Sequence, residues 1–123
     1  MIEPANALDI LLVEDEPLIG LMATDMLDAI GHRVVAVIPS VAAALARIET
    51  ETFNVAILDL NLNDESALPV ADRLRALEKR YFFTTGYGSG SVAPPHDDIV
   101  VLTKPYTLAG LEAALDHLRR DAG

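Results

Sequence analysis

Three carboxylates, three hydroxyls and an amine each stand where an apolar run of this sequence ends. Glu14 and Asp15 follow Ile10 to Val13, and Asp59 follows Val55 to Leu58. Thr84 and Thr85 follow Tyr81 to Phe83 ahead of Gly86, and Thr103 and Lys104 follow Ile99 to Leu102 ahead of Pro105. In open parallel sheets ligands bind beyond the carboxyl ends of the strands, so the residues just after such runs are the ones to read for chemistry. If the first and third runs are neighbouring strands, Glu14, Asp15 and Asp59 converge, with Lys104 as the evident counter-charge. At ~4 Å and an effective dielectric near ~20, each like-charge pair is repelled by about 4 kcal/mol. A hard divalent cation removes that conflict. Oxygen ligands without His or Cys suit magnesium, Mg2+, which keeps several waters and takes one or two carboxylates plus a phosphate oxygen. The chemistry to expect is phosphoryl transfer.

Asp59 is the candidate nucleophile, because a carboxylate needs no activating base at neutral pH and aspartyl phosphates are a known covalent class. The metal and Lys104 would spread charge developing on the phosphoryl oxygens, while a threonine hydroxyl and the Gly86 backbone amide would donate to them. Patterning does not choose between Thr84 and Thr85. Taken singly, each residue has a plainer role: Glu14, Asp15 and Glu16 as acids at a helix N-terminus, Asp59 as a turn residue, Thr85 with Gly86 as a strand exit, and Lys104 as a solvated amine. Together they need an explanation for landing at strand ends, and a site supplies it.

The elements that must position these residues alternate along the chain. Five short, nearly continuous apolar runs, with Val34 to Ile38 as the second, indicate strands covered on both faces. Between them lie helical patterns. Pro17 suits the first turn of a helix ending near Gly31, Ser40 can cap a helix through Val41, Leu45 and Ile48, and Val70, Leu74 and Leu77 mark a third. At the C-terminus Leu108, Leu111, Leu115 and Leu118 recur at helical spacing behind Thr107, a candidate N-cap. Alternating strands and helices with right-handed crossovers predict an α/β domain, a doubly wound five-stranded parallel sheet. Three glycines and two prolines within Gly86 to Pro95 predict a short or irregular fourth helix. One domain over residues 1–123 is expected, ordered from about 8 to 119, with the first seven residues and Asp121 to Gly123 as loose ends.

Composition narrows the class. The 123 residues are 51% hydrophobic and 23% charged, which excludes a disordered chain and supports a core without disulfides or structural zinc. No cysteine is present, so thiolate metal sites and cysteine nucleophiles are excluded. Nine basic against 19 acidic residues leave a net charge of −10, which disfavours direct nucleic-acid binding. No apolar run approaches the ~20 residues of a membrane span, and a cytoplasmic location is expected. His32, His96 and His117 are too scattered for a metal site and are expected at the surface or in loops. Arg73, Arg75, Lys79 and Arg80 are expected to complement the C-terminus of their helix.

With these residues in view, the chain resembles the receiver domain of bacterial two-component response regulators, of stand-alone or kinase-attached type, from Leu8 to about Arg119. The resemblance rests on the VEDE segment with Glu14 and Asp15, Asp59 ending an apolar strand, Thr85 followed by Gly86, and Lys104 followed by Pro105, in the family's order. It implies a flavodoxin-like sheet of order 2-1-3-4-5. It also implies that Asp59 takes a phosphoryl group from a sensor histidine kinase or phosphotransfer protein. Glu14, Asp15 and Asp59 would hold magnesium with the backbone carbonyl of Asn61, Thr85 would bind the phosphoryl group, and Lys104 would pair with it. The Lys104–Pro105 peptide is expected to be cis. Signalling would run through contacts with a downstream protein, without turnover of an external substrate.

Three positions depart from the family pattern. Val101 stands where an aromatic residue usually reports phosphorylation, the crossover after Gly86 lacks an ordinary helix, and Asn63 and Asp64 occupy a loop where small residues are common. Two other functions fit parts of the pattern. A magnesium-dependent phosphatase of haloacid-dehalogenase type would use Asp59, Thr85 and Lys104, but Asn61 stands where its second acid belongs. A non-phosphorylated, receiver-like binding module would suit Val101 and the broken crossover.

Overall fold

The structure is a computed structural model, and it describes residues 7–86 and 94–122, with side chains described as far as Leu118. In chain order the elements are β1 (Asp9–Val13), α1 (Pro17–Ala29), β2 (Arg33–Ile38), α2 (Val41–Arg47), β3 (Val55–Asp59), the short strands β4 (Asn61–Leu62) and β5 (Glu65–Ser66), α3 (Leu68–Ala76), β6 (Arg80–Thr85), β7 (Val101–Thr103) and α4 (Leu108–Ala122). The five longer-range strands form one parallel sheet in the order β2-β1-β3-β6-β7, the predicted 2-1-3-4-5 pattern once the small hairpin is set aside.

Side-chain alternation along these strands explains why their sequences are continuously apolar. Leu11, Val13, Ala56, Leu58 and Phe83 face α2 and α3, where they meet Val41, Ala44, Val70 and Leu74. Ile10, Leu12, Val55, Ile57 and Phe82 face the opposite layer with Ala23, Leu27, Leu111 and Leu115 of α1 and α4. A strand between two helical layers must be apolar at every position. Its last residue is then the first one free to be polar, and this rule places Glu14, Asp59 and Lys104 at one edge of the sheet.

The helix ends follow the local chemistry. Pro17 opens α1, whose far end is closed by Gly31 at φ 93°, with the His32 amide donating to the Leu27 carbonyl and the Gly31 amide to that of Asp28. Ser40 Oγ accepts from the Ala43 amide at 3.2 Å, and Thr107 Oγ1 from the Gly110 amide at 2.9 Å. The C-terminal helix continues to Ala122, so Asp121 and Ala122 are helical rather than loose.

Two further observations concern histidines and one loop. His32 and His96 lie in loops, one of the two expected settings, but are buried rather than at the surface: His32 Nδ1 accepts from the Leu8 amide at 3.0 Å, and His96 bridges the Tyr81 hydroxyl and Asp72 Oδ1, the latter at 2.7 Å. Asn63 and Asp64 have φ of 50° and 66°, and they form the two-residue loop joining β4 to β5. Left-handed backbone at both loop positions is what a tight hairpin requires, and Asn and Asp tolerate it better than most residues. The departure at these two positions is therefore conformational. The fourth helix was expected between Gly86 and Pro95. Residues 87–93 lie outside the described residues, and Pro94 to Ile99 form turns and bends.

Candidate functional site

Glu14 leaves β1 with its side chain fully buried. Its Oε1 accepts from Lys104 Nζ at 2.7 Å and from the Tyr106 hydroxyl at 3.2 Å, and its Oε2 accepts from the Glu16 amide at 3.2 Å. Asp59 ends β3, with Oδ2 accepting from Lys104 Nζ at 2.8 Å and Oδ1 from the Asn61 amide at 3.1 Å. Asp15 is half-buried, and its Oδ2 accepts from the Asn63 amide at 3.0 Å. The hairpin after β3 thus serves the site twice, once through Asn61 and once through Asn63. One oxygen from each of Glu14, Asp15 and Asp59 lies within 4.8 Å of the others.

Lys104 is placed by backbone pairing. Its amide donates to the Thr85 carbonyl at 2.7 Å, which carries the β6–β7 ladder one residue past β7 and sends the side chain back over the sheet edge. The Lys104–Pro105 peptide is cis, as expected. A cleft of about 420 Å³ opens above these groups, lined by Asp15, Asp59, Asn61, Asp64, Gly86 and Lys104 among others. Gly86 is exposed at its rim, and Thr85, the last residue of β6, is buried. Thr84 is fully buried and pairs in register with Asp59. Val101 opens β7, half-buried against the layer of α2 and α3.

Burial pushes the Glu14 carboxyl above its ordinary value, and the charge of Asp59 adds to this; the Lys104 ammonium and the Glu16 amide only partly offset the two. For Lys104, burial disfavours the charge, but hydrogen bonds and attraction from Asp59 and Glu14 outweigh it, and the amine is held above its usual range. A consequence for stability follows by linkage. Folded Glu14 binds its proton more tightly than unfolded Glu14, so its ionisation weakens the folded state as pH rises from 4.5 through its raised value. Urea unfolding of the metal-free protein is therefore expected to show wild type losing stability relative to Glu14→Gln as pH rises across that window. A difference independent of pH, or one of opposite sign, would contradict the burial argument.

Three acidic oxygens and one amine leave the cluster net anionic, and with oxygen donors only it fits a hard divalent cation. Every predicted site residue is now located: Glu14, Asp15, Asp59 and Lys104 converge, Asn61 and Gly86 line the cleft, and Thr85 stands at the end of β6. Tyr106 was missed by sequence reasoning, since nothing in its local sequence marks a residue that binds Glu14 from 92 positions away.

The model of the response regulator receiver domain matches residues 10–116. The chain belongs to this family. The receiver domain is 41% identical to SdrG from Sphingomonas melonis Fr1, whose solution structure superimposes with a TM-score of 0.82 over 93% of this chain and 98% of that one. It is likewise 41% identical to the BeF3-activated conformation of SdrG from Pseudomonas melonis Fr1, with a TM-score of 0.76 over 89% of this chain and 94% of that one. Among curated proteins it is 28% identical over 113 residues to the sensory transduction protein LytR of Staphylococcus haemolyticus, a match covering 89% of this chain and 44% of that protein. The receiver domain thus spans less than half the length of this curated relative. No helix among its described residues is long and apolar enough to cross a membrane.

Proposed function

We propose that this receiver domain accepts a phosphoryl group on Asp59 from a phosphohistidine of a sensor kinase or phosphotransfer protein, in a magnesium-dependent reaction. It then signals through contacts with a downstream protein and turns over no external substrate. The observation that carries this proposal is the convergence of Glu14, Asp15 and Asp59 around Lys104 beneath an open cleft. An Asp59 carboxylate oxygen forms the new O–P bond while the P–N bond of the donor breaks and its electron pair returns to the imidazole. Lys104 is already on Asp59 Oδ2, where it can follow the growing negative charge onto the phosphoryl oxygens. Asn61 fixes the other oxygen and with it the orientation of the carboxylate. Thr85, the last residue of β6, and the amide of Gly86, which lines the cleft, are the donors we assign to the phosphoryl oxygens.

Glu14, Asp15, Asp59 and the Asn61 carbonyl would hold Mg2+. When bound, the ion neutralises the carboxylates and draws charge from the phosphoryl oxygens. Support also comes from SdrG, which has a BeF3-activated conformation, since BeF3 resembles a phosphoryl group in shape and charge. The protein's acidity favours a protein partner over nucleic acid.

Incubation with acetyl phosphate and Mg2+ is expected to add one phosphoryl group per chain, labile to alkali and to hydroxylamine and prevented by a chelator. An alkali-stable adduct, or none under conditions where the protein binds Mg2+, would overturn the proposal and favour a module that only binds partners.

A further inference from the structure

The Tyr106 hydroxyl bonds a carboxylate of the acidic cluster from outside the lining of the anionic cleft. The ring is buried among residues of α1 and α4, and it lines an adjoining, mainly apolar cleft of about 360 Å³ with Ile19, Met22 and Pro105, which shares Glu16, Gly86 and Lys104 with the anionic cleft. Only the hydroxyl turns toward the site, donating to Glu14 Oε1 at 3.2 Å. Burial pushes its pKa up to about 12, so it remains a donor at neutral pH.

We propose that Tyr106 is a positioning residue for the metal-binding carboxylate Glu14, and that its hydroxyl tunes the affinity of this receiver domain for Mg2+. The inference rests on the function proposed above, and it concerns a residue outside the set that would touch the ion. Glu14 is held from three sides, by Lys104 and Tyr106 on Oε1 and by the Glu16 amide on Oε2. Of these three, Lys104 must also serve Asp59, and in the proposed reaction it follows charge toward the phosphoryl group. The Tyr106 hydroxyl, whose other hydroxyl neighbour is the buried Thr84, can stay on Glu14 throughout. A buried aromatic hydroxyl needs a partner, and a metal ligand fixed by an outer hydrogen bond loses affinity when that bond is removed. Tyr106 also follows directly on Lys104 and Pro105, so one short segment sets both the amine and the hydroxyl around the same carboxylate.

The test is Tyr106→Phe, which keeps the ring and its packing and removes only the oxygen. Calorimetric titration with Mg2+ is expected to give binding roughly tenfold weaker than wild type, at the low end of the range for residues that orient a metal ligand. In the metal-free variant the Glu16 backbone amide resonance is expected to move, because that amide sits on the other oxygen of the same carboxylate. A role in packing alone predicts unchanged affinity. Affinity within twofold of wild type, or weaker binding with the Glu16 amide unmoved, would overturn the inference while leaving the proposed function intact. Failure of the wild-type protein itself to bind Mg2+ would overturn both.

Discussion

Asp59→Asn is expected to reduce phosphoryl uptake from acetyl phosphate to background while leaving the fold in place. The substitution is nearly isosteric, and an amide oxygen can still accept from the Asn61 amide that now holds Oδ1. What disappears is the anionic oxygen that would form the O–P bond, and an amide does not replace it as a nucleophile. Packing changes little, because the side chain sits at the end of β3 with the apolar layers behind it. The Asn NH2 would face Lys104 Nζ, donor against donor, so that contact is lost and Lys104 keeps Glu14 alone. Removing one of three crowded negative charges offsets part of this loss. Mass spectrometry after incubation with the donor and Mg2+, beside a far-ultraviolet circular dichroism spectrum like that of wild type, checks the expectation. A phosphoryl group retained by the variant would place the acceptor elsewhere.

Lys104→Met should weaken the metal-free protein by about 3–5 kcal/mol at neutral pH, the range for removing one partner of a buried charge cluster. The Lys104 side chain is 10% exposed and the two carboxylates it bridges are 0% and 6% exposed, so water cannot take its place cheaply. A loss of this size is a large share of the 5–15 kcal/mol by which domains are typically stable. Its pH dependence identifies the cause. Without the ammonium, the Glu14 carboxyl moves further above its ordinary value, since Lys104 is the main influence now lowering it. Lowering the pH lets Glu14 take up a proton and shed the uncompensated charge, so the gap between variant and wild type should narrow toward pH 5. Mg2+ should narrow it as well, by supplying positive charge to the same oxygens. Urea unfolding of both proteins over pH 5 to 8, with and without Mg2+, provides the measurement. A loss below about 1 kcal/mol at pH 7.5 would mean that the bridge is solvated and the cluster looser than its geometry shows.

Much of this molecule can be read from local sequence. The strands are legible because a parallel sheet between two helical layers demands apolar residues at every position, and Ile10 to Val13 and Val55 to Leu58 carry that mark without a break. Helix starts at Pro17, Ser40 and Thr107 are legible because caps act within three or four residues of the chain. The fifth strand was less so. It was expected over Ile99 to Leu102 and lies at Val101–Thr103, since an edge strand pairs on one side only and its ends are decided by its single neighbour. Asn63 and Asp64 were visible as unusual, yet their role in a hairpin loop depends on φ values that composition does not specify.

The amino-acid order by itself determined the layered fold and the family, and it put acids, hydroxyls and an amine at strand ends, because burial and capping are short-range demands that each stretch of chain meets alone. Tertiary structure decided which of those groups meet. Lys104 bridges Glu14 and Asp59, Asn63 reaches Asp15, and Tyr106 anchors Glu14, all across 45 or more positions. The burial of His32 and His96 belongs to the same class, since their surroundings come from distant elements. Hydrogen bonds act over about 3 Å in space, and only the folded chain brings such distant positions within that reach.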